Sequence, residues 1–223
     1  MIDGLPPWIS ALFAATVLVT IVWFHAAGRS RGLLAGIVLW TILQCMLGLS
    51  GFYQDASLIP PRIFIVGVLP TVVLMAACFL TERGRRFVDA MDLRTLTWLH
   101  TVRIPVEVTL WLLVEREMLS EYMSIGGTNF DILSGITAPI IAYLAFRSGK
   151  DDRRLLLIWN VACTLLLLNV VLTAALGIPS PIQQHSFDQP NAAVLYFPFN
   201  LLPTVVVPLV LFAHLIALRR LRK

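Results

Sequence analysis

The Lys and Arg residues of this chain fall almost entirely in every second gap between its apolar runs, and that alternation constrains the fold more than any other feature. Arg29 and Arg31 form one basic group, and Arg83, Arg85, Arg86 and Arg94 a second. Arg147, Lys150, Arg153 and Arg154 make a third, and Arg219, Arg220, Arg222 and Lys223 close the chain, so 14 of the 17 basic residues are placed this way. The other gaps carry only Arg62 and Arg116 and are otherwise acidic, with Asp3, Asp55, Glu115, Glu117, Glu121, Asp131 and Asp188. Loops rich in Lys and Arg stay on the cytoplasmic side during membrane insertion. The pattern predicts an all-α, polytopic bundle of seven transmembrane helices, N-terminus outside and C-terminus cytoplasmic.

Composition agrees with that reading. Of the 223 residues, 58% are hydrophobic and 13% charged, and mean hydropathy is +0.82. A soluble domain of this size has no interior large enough for so much apolar surface. Seven helices of about 20 residues each use roughly 140 residues, which leaves short loops and a single domain over residues 1–223. The expected place is the cell membrane, as a multi-pass protein of the bacterial inner membrane, with membrane lipids as its first partners. A net charge of +4 is accounted for by topology and anionic headgroups, so nucleic acid is not an expected partner. The first run reads as a retained span: Asp3 precedes it and Arg29 and Arg31 follow, the reverse of a signal peptide. Cys45, Cys78 and Cys163 all lie inside apolar runs, where free thiols act as small packing groups.

The spans read as 8–27, 32–53, 62–82, 97–118, 130–147, 154–177 and 192–218. Pro70, Pro105, Pro139, Pro198, Pro203 and Pro208 fall within them, and each should break the helical ladder and free a carbonyl. Residues 87–99 alternate at helical spacing and read either as a short interfacial helix leading into the fourth span or as a plain inward extension of that span.

Ionisable groups in hydrocarbon are costly and mark function. The fourth span carries His100, Arg103 and Glu107; spacings of three and four put them on one face, with Arg103 and Glu107 expected to pair one turn apart. Gln44, Asn160 and Asn200 are the amides expected to line the same polar cavity, and Asn169 and His214 are further intramembrane polar residues. His25, His100 and His214 all fall in the inner half and are the candidate metal ligands, since three histidines suffice for a catalytic zinc. No paired-histidine motif accompanies them, and no cofactor is otherwise expected. Retinal is excluded because Lys150 and Lys223 both lie outside the spans. On the outer side, Asn129, Asp131, His185 and Asp188 form a candidate recognition surface.

The leading expectation is therefore a protein, not an enzyme, that binds or transports a small solute, lipid or protons through a polar cavity at Arg103 and Glu107. The alternatives are an intramembrane metal-dependent hydrolase acting on lipid, with His25, His100 and His214 around zinc, and a signalling or assembly subunit with no chemistry. A homodimer would supply the two-fold repeat that one chain lacks. Three stretches carry a resemblance: Val102–Glu107, Asn129–Gly135 with Ala138-Pro139, and Gln189-Pro190-Asn191 followed by Phe197-Pro198-Phe199. With them, residues 100–218 resemble a group of small seven-helix bacterial integral membrane proteins of no assigned function. That resemblance implies a membrane protein and transfers no active site.

Overall fold

The computed structural model describes residues 2, 4–55, 58–147 and 151–222; Asp3, Lys150 and Lys223, which enter the charge pattern, lie outside them. Every regular element among the described residues is helical. In chain order the α-helices are α1 (Pro7–Gly28), α2 (Arg31–Leu49), α3 (Leu69–Leu80), α4 (Glu82–Ala90), α5 (Leu93–Leu99), α6 (Arg103–Val114), α7 (Ile132–Phe146), α8 (Arg153–Leu176) and α9 (Val207–Leu221). Two π turns, Ile63–Val68 and Leu202–Val206, run directly into α3 and α9. A 3-10 turn, His100–Val102, joins α5 to α6. Five of these helical runs are long and apolar enough to cross a membrane: Pro7–Gly28, Arg31–Leu49, Ile63–Leu80, Arg153–Leu176 and Leu202–Leu221. They correspond to five of the seven expected spans. The other two differ: the fourth is assembled from α5, the 3-10 turn and α6, and the fifth is α7, apolar but only 15 residues long.

Short polar side chains start the helices at the basic loops. Ser30 accepts from Leu33 N–H at 3.3 Å, Asp92 from Thr95 N–H at 2.7 Å and Asp152 from Leu155 N–H at 3.0 Å, each satisfying an orphan first-turn donor. The amphipathic stretch expected as one helix over 87–99 is two. α4 ends at Ala90, Met91 is extended, and Asp92 caps α5.

Several of the prolines act through irregular turns, whereas Pro139 lies within the continuous helix α7. Pro70 follows one π turn, Pro203 lies in the other and Pro208 follows it. A proline cannot bond the carbonyl four residues back, so Pro70 leaves Val66 C=O and Pro208 leaves Thr204 C=O in need of a donor. Side chains of α2 supply both: Gln44 Nε2 donates to Val66 C=O at 3.4 Å, and Trp40 Nε1 to Thr204 C=O at 2.8 Å. The two π turns touch at Gly67, where a Cβ would stand 2.4 Å from Thr204 Cγ2; only glycine permits this approach. The seventh span starts later than expected. Residues 197–200 form a turn, so Asn200 precedes the helix that begins at Leu202.

Leu202–Leu221 is the hub, with 61% of its apolar window buried against 11% for α2. Phe212 stacks near Phe24 of α1 at 5.8 Å and meets Phe79 of α3 edge-on at 5.7 Å. On α1 the inward residues Ile9, Phe13, Val17, Ile21 and Phe24 recur every three or four positions, the stripe that a core-facing helix presents. α6, α7 and α8 close the bundle on the far side and position the charged residues.

Candidate functional site

His100, Arg103 and Glu107 share one face and are buried in the bundle at 1%, 2% and 5% exposure. The shared face follows from their spacing, as the sequence indicates. Pro105 provides no N–H for the Thr101 carbonyl, and the chain tightens into the 3-10 turn at His100–Val102. α7 approaches this face closely because Gly135 lacks a side chain: a Cβ there would lie 2.9 Å from Ile104 Cγ1 and 3.2 Å from Arg103 Cβ.

Arg103 does not take its expected partner. Its Nη1 lies 3.2 Å from Asp131 Oδ1, while Glu107 Oε2 accepts from Asn129 Nδ2 at 2.6 Å. Asn129 and Asp131 are thus buried, at 1% and 4% exposure, rather than on an outer surface. The cause is the chain between α6 and α7, which turns inward through a 3-10 turn at Glu121–Met123 and buries Met123. Asn129 Nδ2 also donates to Met123 C=O at 3.1 Å, and its Oδ1 accepts from Asp131 N–H at 3.0 Å. That local turn aims both side chains at α6. Ser134 Oγ donates to Asp131 Oδ1 at 3.4 Å.

One turn below Arg103, His100 stacks on His214 of α9, ring centroids 3.9 Å apart and planes 20° apart. Trp159 of α8 packs edge-on against His100 at 5.3 Å and donates from Nε1 to Thr137 Oγ1 at 2.9 Å. His214 Nδ1 lies 2.8 Å from Asn160 Oδ1. Asn160 Nδ2 already donates to Leu156 C=O at 2.8 Å, so Oδ1 must accept and His214 Nδ1 carries the proton. A neutral imidazole then presents Nε2 as a lone-pair acceptor. Sequence reasoning named His100, Asn160 and His214 but missed Trp159 and Ser134; an intramembrane Trp with a polar neighbour at helical spacing was the available signal.

The remaining predicted residues go elsewhere. Gln44 accepts from Tyr53 Oη at 2.5 Å, and Asn200 Nδ2 donates to Gln44 C=O at 2.8 Å, forming a second, interlocking cluster between α2 and the π turns. The single cavity expected to join Gln44 and Asn200 to Arg103 is two separate groups. His25, in the last turn of α1, does not join the stacked pair: among the described residues no three His, Cys, Asp or Glu side chains converge as a metal-ligand set. His185 contacts Ser186 Oγ at 2.6 Å and packs on Tyr122 at 5.1 Å, and Asp188 is exposed. Neither meets Asp131. Beside them Gln189 Nε2 donates to Leu119 C=O at 2.5 Å, and Asn191 accepts from Ser120 N–H at 3.1 Å. These contacts clamp the segment before residue 192 onto the segment that follows α6, beside the charged residues.

The centre is incompletely paired. His100 Nδ1, Arg103 Nε, Nη1 and Nη2, and His214 Nε2 are buried without a hydrogen-bond partner among the described residues; the ion pair to Asp131 lies outside hydrogen-bond geometry. Arg103 has five N–H donors and His214 one fixed acceptor, the complementary groups that a bridging water requires.

These features define an all-helical protein with five membrane-length apolar helices and a charged centre in its core. Residues 60–222 match the family described as "Domain of unknown function (DUF8737)", and the chain belongs to that family. The matched region holds every residue of the buried centre and omits α1 and α2. No curated protein and no solved structure matches the chain.

Proposed function

We propose that the chain crosses the membrane seven times, N-terminus outside, and that its buried centre carries protons through ordered water. α5, the 3-10 turn and α6 form one crossing of 22 residues, Leu93–Val114, about 33 Å at helical rise. α7 forms another, about 22 Å long. That is short of the roughly 30 Å hydrocarbon core, which supports a position for Asp131 and Glu107 below the outer surface. The single observation that carries the proposal is the set of unpartnered nitrogens on His100, Arg103 and His214. Unpaired polar atoms in hydrocarbon cost several kcal/mol each, and water is the partner that fits a centre this closed.

The composition of the centre favours protons over a larger solute. Glu107, Asp131, His100 and His214 each bind and release a proton, whereas Arg103 is a fixed positive charge. Chains of Asp, Glu and His within membrane helices are the recurrent form of proton relay. In this line Glu107 and Asp131 form the outer end and the stacked imidazoles the inner end, one helical turn away. Arg103 between them holds a carboxylate charge at mid-depth and repels free cations.

The test is proton flux into proteoliposomes containing a trapped pH-sensitive dye, driven by a potassium diffusion potential. Wild type is expected to acidify well above protein-free vesicles, and Glu107→Gln to fall at least tenfold while retaining its gel-filtration profile. Flux indistinguishable from empty vesicles, or unchanged in Glu107→Gln, would overturn the proposal.

A further inference from the structure

A cavity of about 560 Å³ opens between α2, α3 and α9, on the opposite side of α9 from the charged centre. Gly32, Gly36, Trp40, Pro70, Met75 and Phe212 are among its walls. Its size lies within the roughly 300–1,000 Å³ range of ligand sites. Two features of the sequence make it. Gly32 and Gly36 lie one turn apart on α2 and give no side chain; a Cβ at Gly36 would meet nothing within 4 Å. Pro70 and Pro208 also line the cavity, and the irregular turns beside them prevent α3 and α9 from packing flush.

At the basic end of the same helices lies a second hollow, of about 530 Å³, lined by Phe79, Leu215, Leu218, Arg219 and Arg222. Phe79 follows Cys78 of the first cavity on α3, and Leu215 lies one turn beyond Phe212 on α9. The second hollow thus lies about one helical turn beyond the first, at a positively charged rim. Arg219 is held by Asp89, with Nε 3.1 Å from Oδ1, and Arg220 bonds the Met91 carbonyl. Arg222 is exposed and has no ion-pair partner among the described residues.

We infer that α2, α3 and α9 form a specific site for one anionic phospholipid, with an acyl chain in the cavity and the phosphate at Arg222. Charge complementarity selects this occupant: an apolar slot with an unpaired guanidinium at its mouth matches a lipid tail joined to an anionic headgroup. A neutral lipid would leave Arg222 unmatched, and a free phosphate would leave the slot empty. The site is independent of the proton route, and neither Gly36 nor Arg222 belongs to the charged centre.

The test is native mass spectrometry of the protein released from nanodiscs of equal phosphatidylglycerol and phosphatidylcholine. Wild type is expected to retain one phosphatidylglycerol in clear preference to phosphatidylcholine. Arg222→Gln should lower that preference about fivefold, the contribution of one basic residue near an anionic headgroup, while one lipid still binds. Gly36→Leu fills the slot and should reduce retention of both lipids. No retained lipid in wild type, equal retention of the two, or full retention in Gly36→Leu would overturn the inference.

Discussion

Arg103 and Asp131 are 2% and 4% exposed, so each is the chief charged partner that offsets the other's burial. Removing one partner from such a pair leaves an isolated charge and costs about 3–5 kcal/mol, more than the pair contributes over an apolar substitute. Asp131→Ala should therefore lower the unfolding free energy by that amount, and Arg103→Met with Asp131→Leu should recover most of it. Denaturant titration of the two variants in detergent checks this, and a cost below about 1 kcal/mol for Asp131→Ala would mean that Asp131 is not the chief compensation for Arg103. At His214, nitrogen-15 spectra of labelled protein should report the Nδ1–H tautomer, and Asn160→Ala should release it to a mixture. An unchanged tautomer in that variant would remove Asn160 from its positioning role. The face shared by His100, Arg103 and Glu107 was legible in the sequence because helical spacing is fixed. Their partners were not, because Asn129 and Asp131 resemble ordinary helix-start residues. Only the inward turn at Met123 brings them to α6, and no local pattern encodes that depth.

Among the elements, the pairs joining α2 to the two irregular helices decide how the fold tolerates its prolines. Trp40 donates to the carbonyl that Pro208 cannot reach. Trp40→Phe should cost about 1–3 kcal/mol, the penalty of an unsatisfied buried carbonyl. The same change in a Pro208→Ala background should cost much less of that penalty, because an alanine at that position supplies the missing N–H. Unfolding free energies of the four proteins complete the cycle, and equal costs in both backgrounds would show that Trp40 acts through packing alone. The positions of helix breakage were readable from proline and the 3.6-residue period. The donors were not: Gln44 and Trp40 are 22 and 164 residues away in sequence from the carbonyls they serve, and Gln44 read as a cavity residue for that reason. The late start of the seventh span has the same origin, since Asn200 bonds back to α2 instead of joining the helix.

For the whole molecule, the apolar runs made the all-helical fold and its five membrane-length helices legible, while the two further crossings we propose, at α7 and at α5–α6, fall below what length and hydropathy alone detect. Seven crossings put residues 115–131 and residues 147–152 on opposite faces. Gly126→Cys should then react with an impermeant maleimide in intact cells, and Asp151→Cys only after permeabilisation; labelling of both from one side would remove α7 as a crossing. A proton route through the core requires the unpartnered nitrogens there to be hydrated. Solid-state NMR of arginine-labelled protein in lipid measures this directly, through magnetisation transfer from water to the guanidinium of Arg103, assigned by loss of its signal in Arg103→Lys. A water cross-peak at the Arg103 Nε–H is expected. A dry guanidinium, with no transfer at that site while the exposed arginines show it, would contradict it.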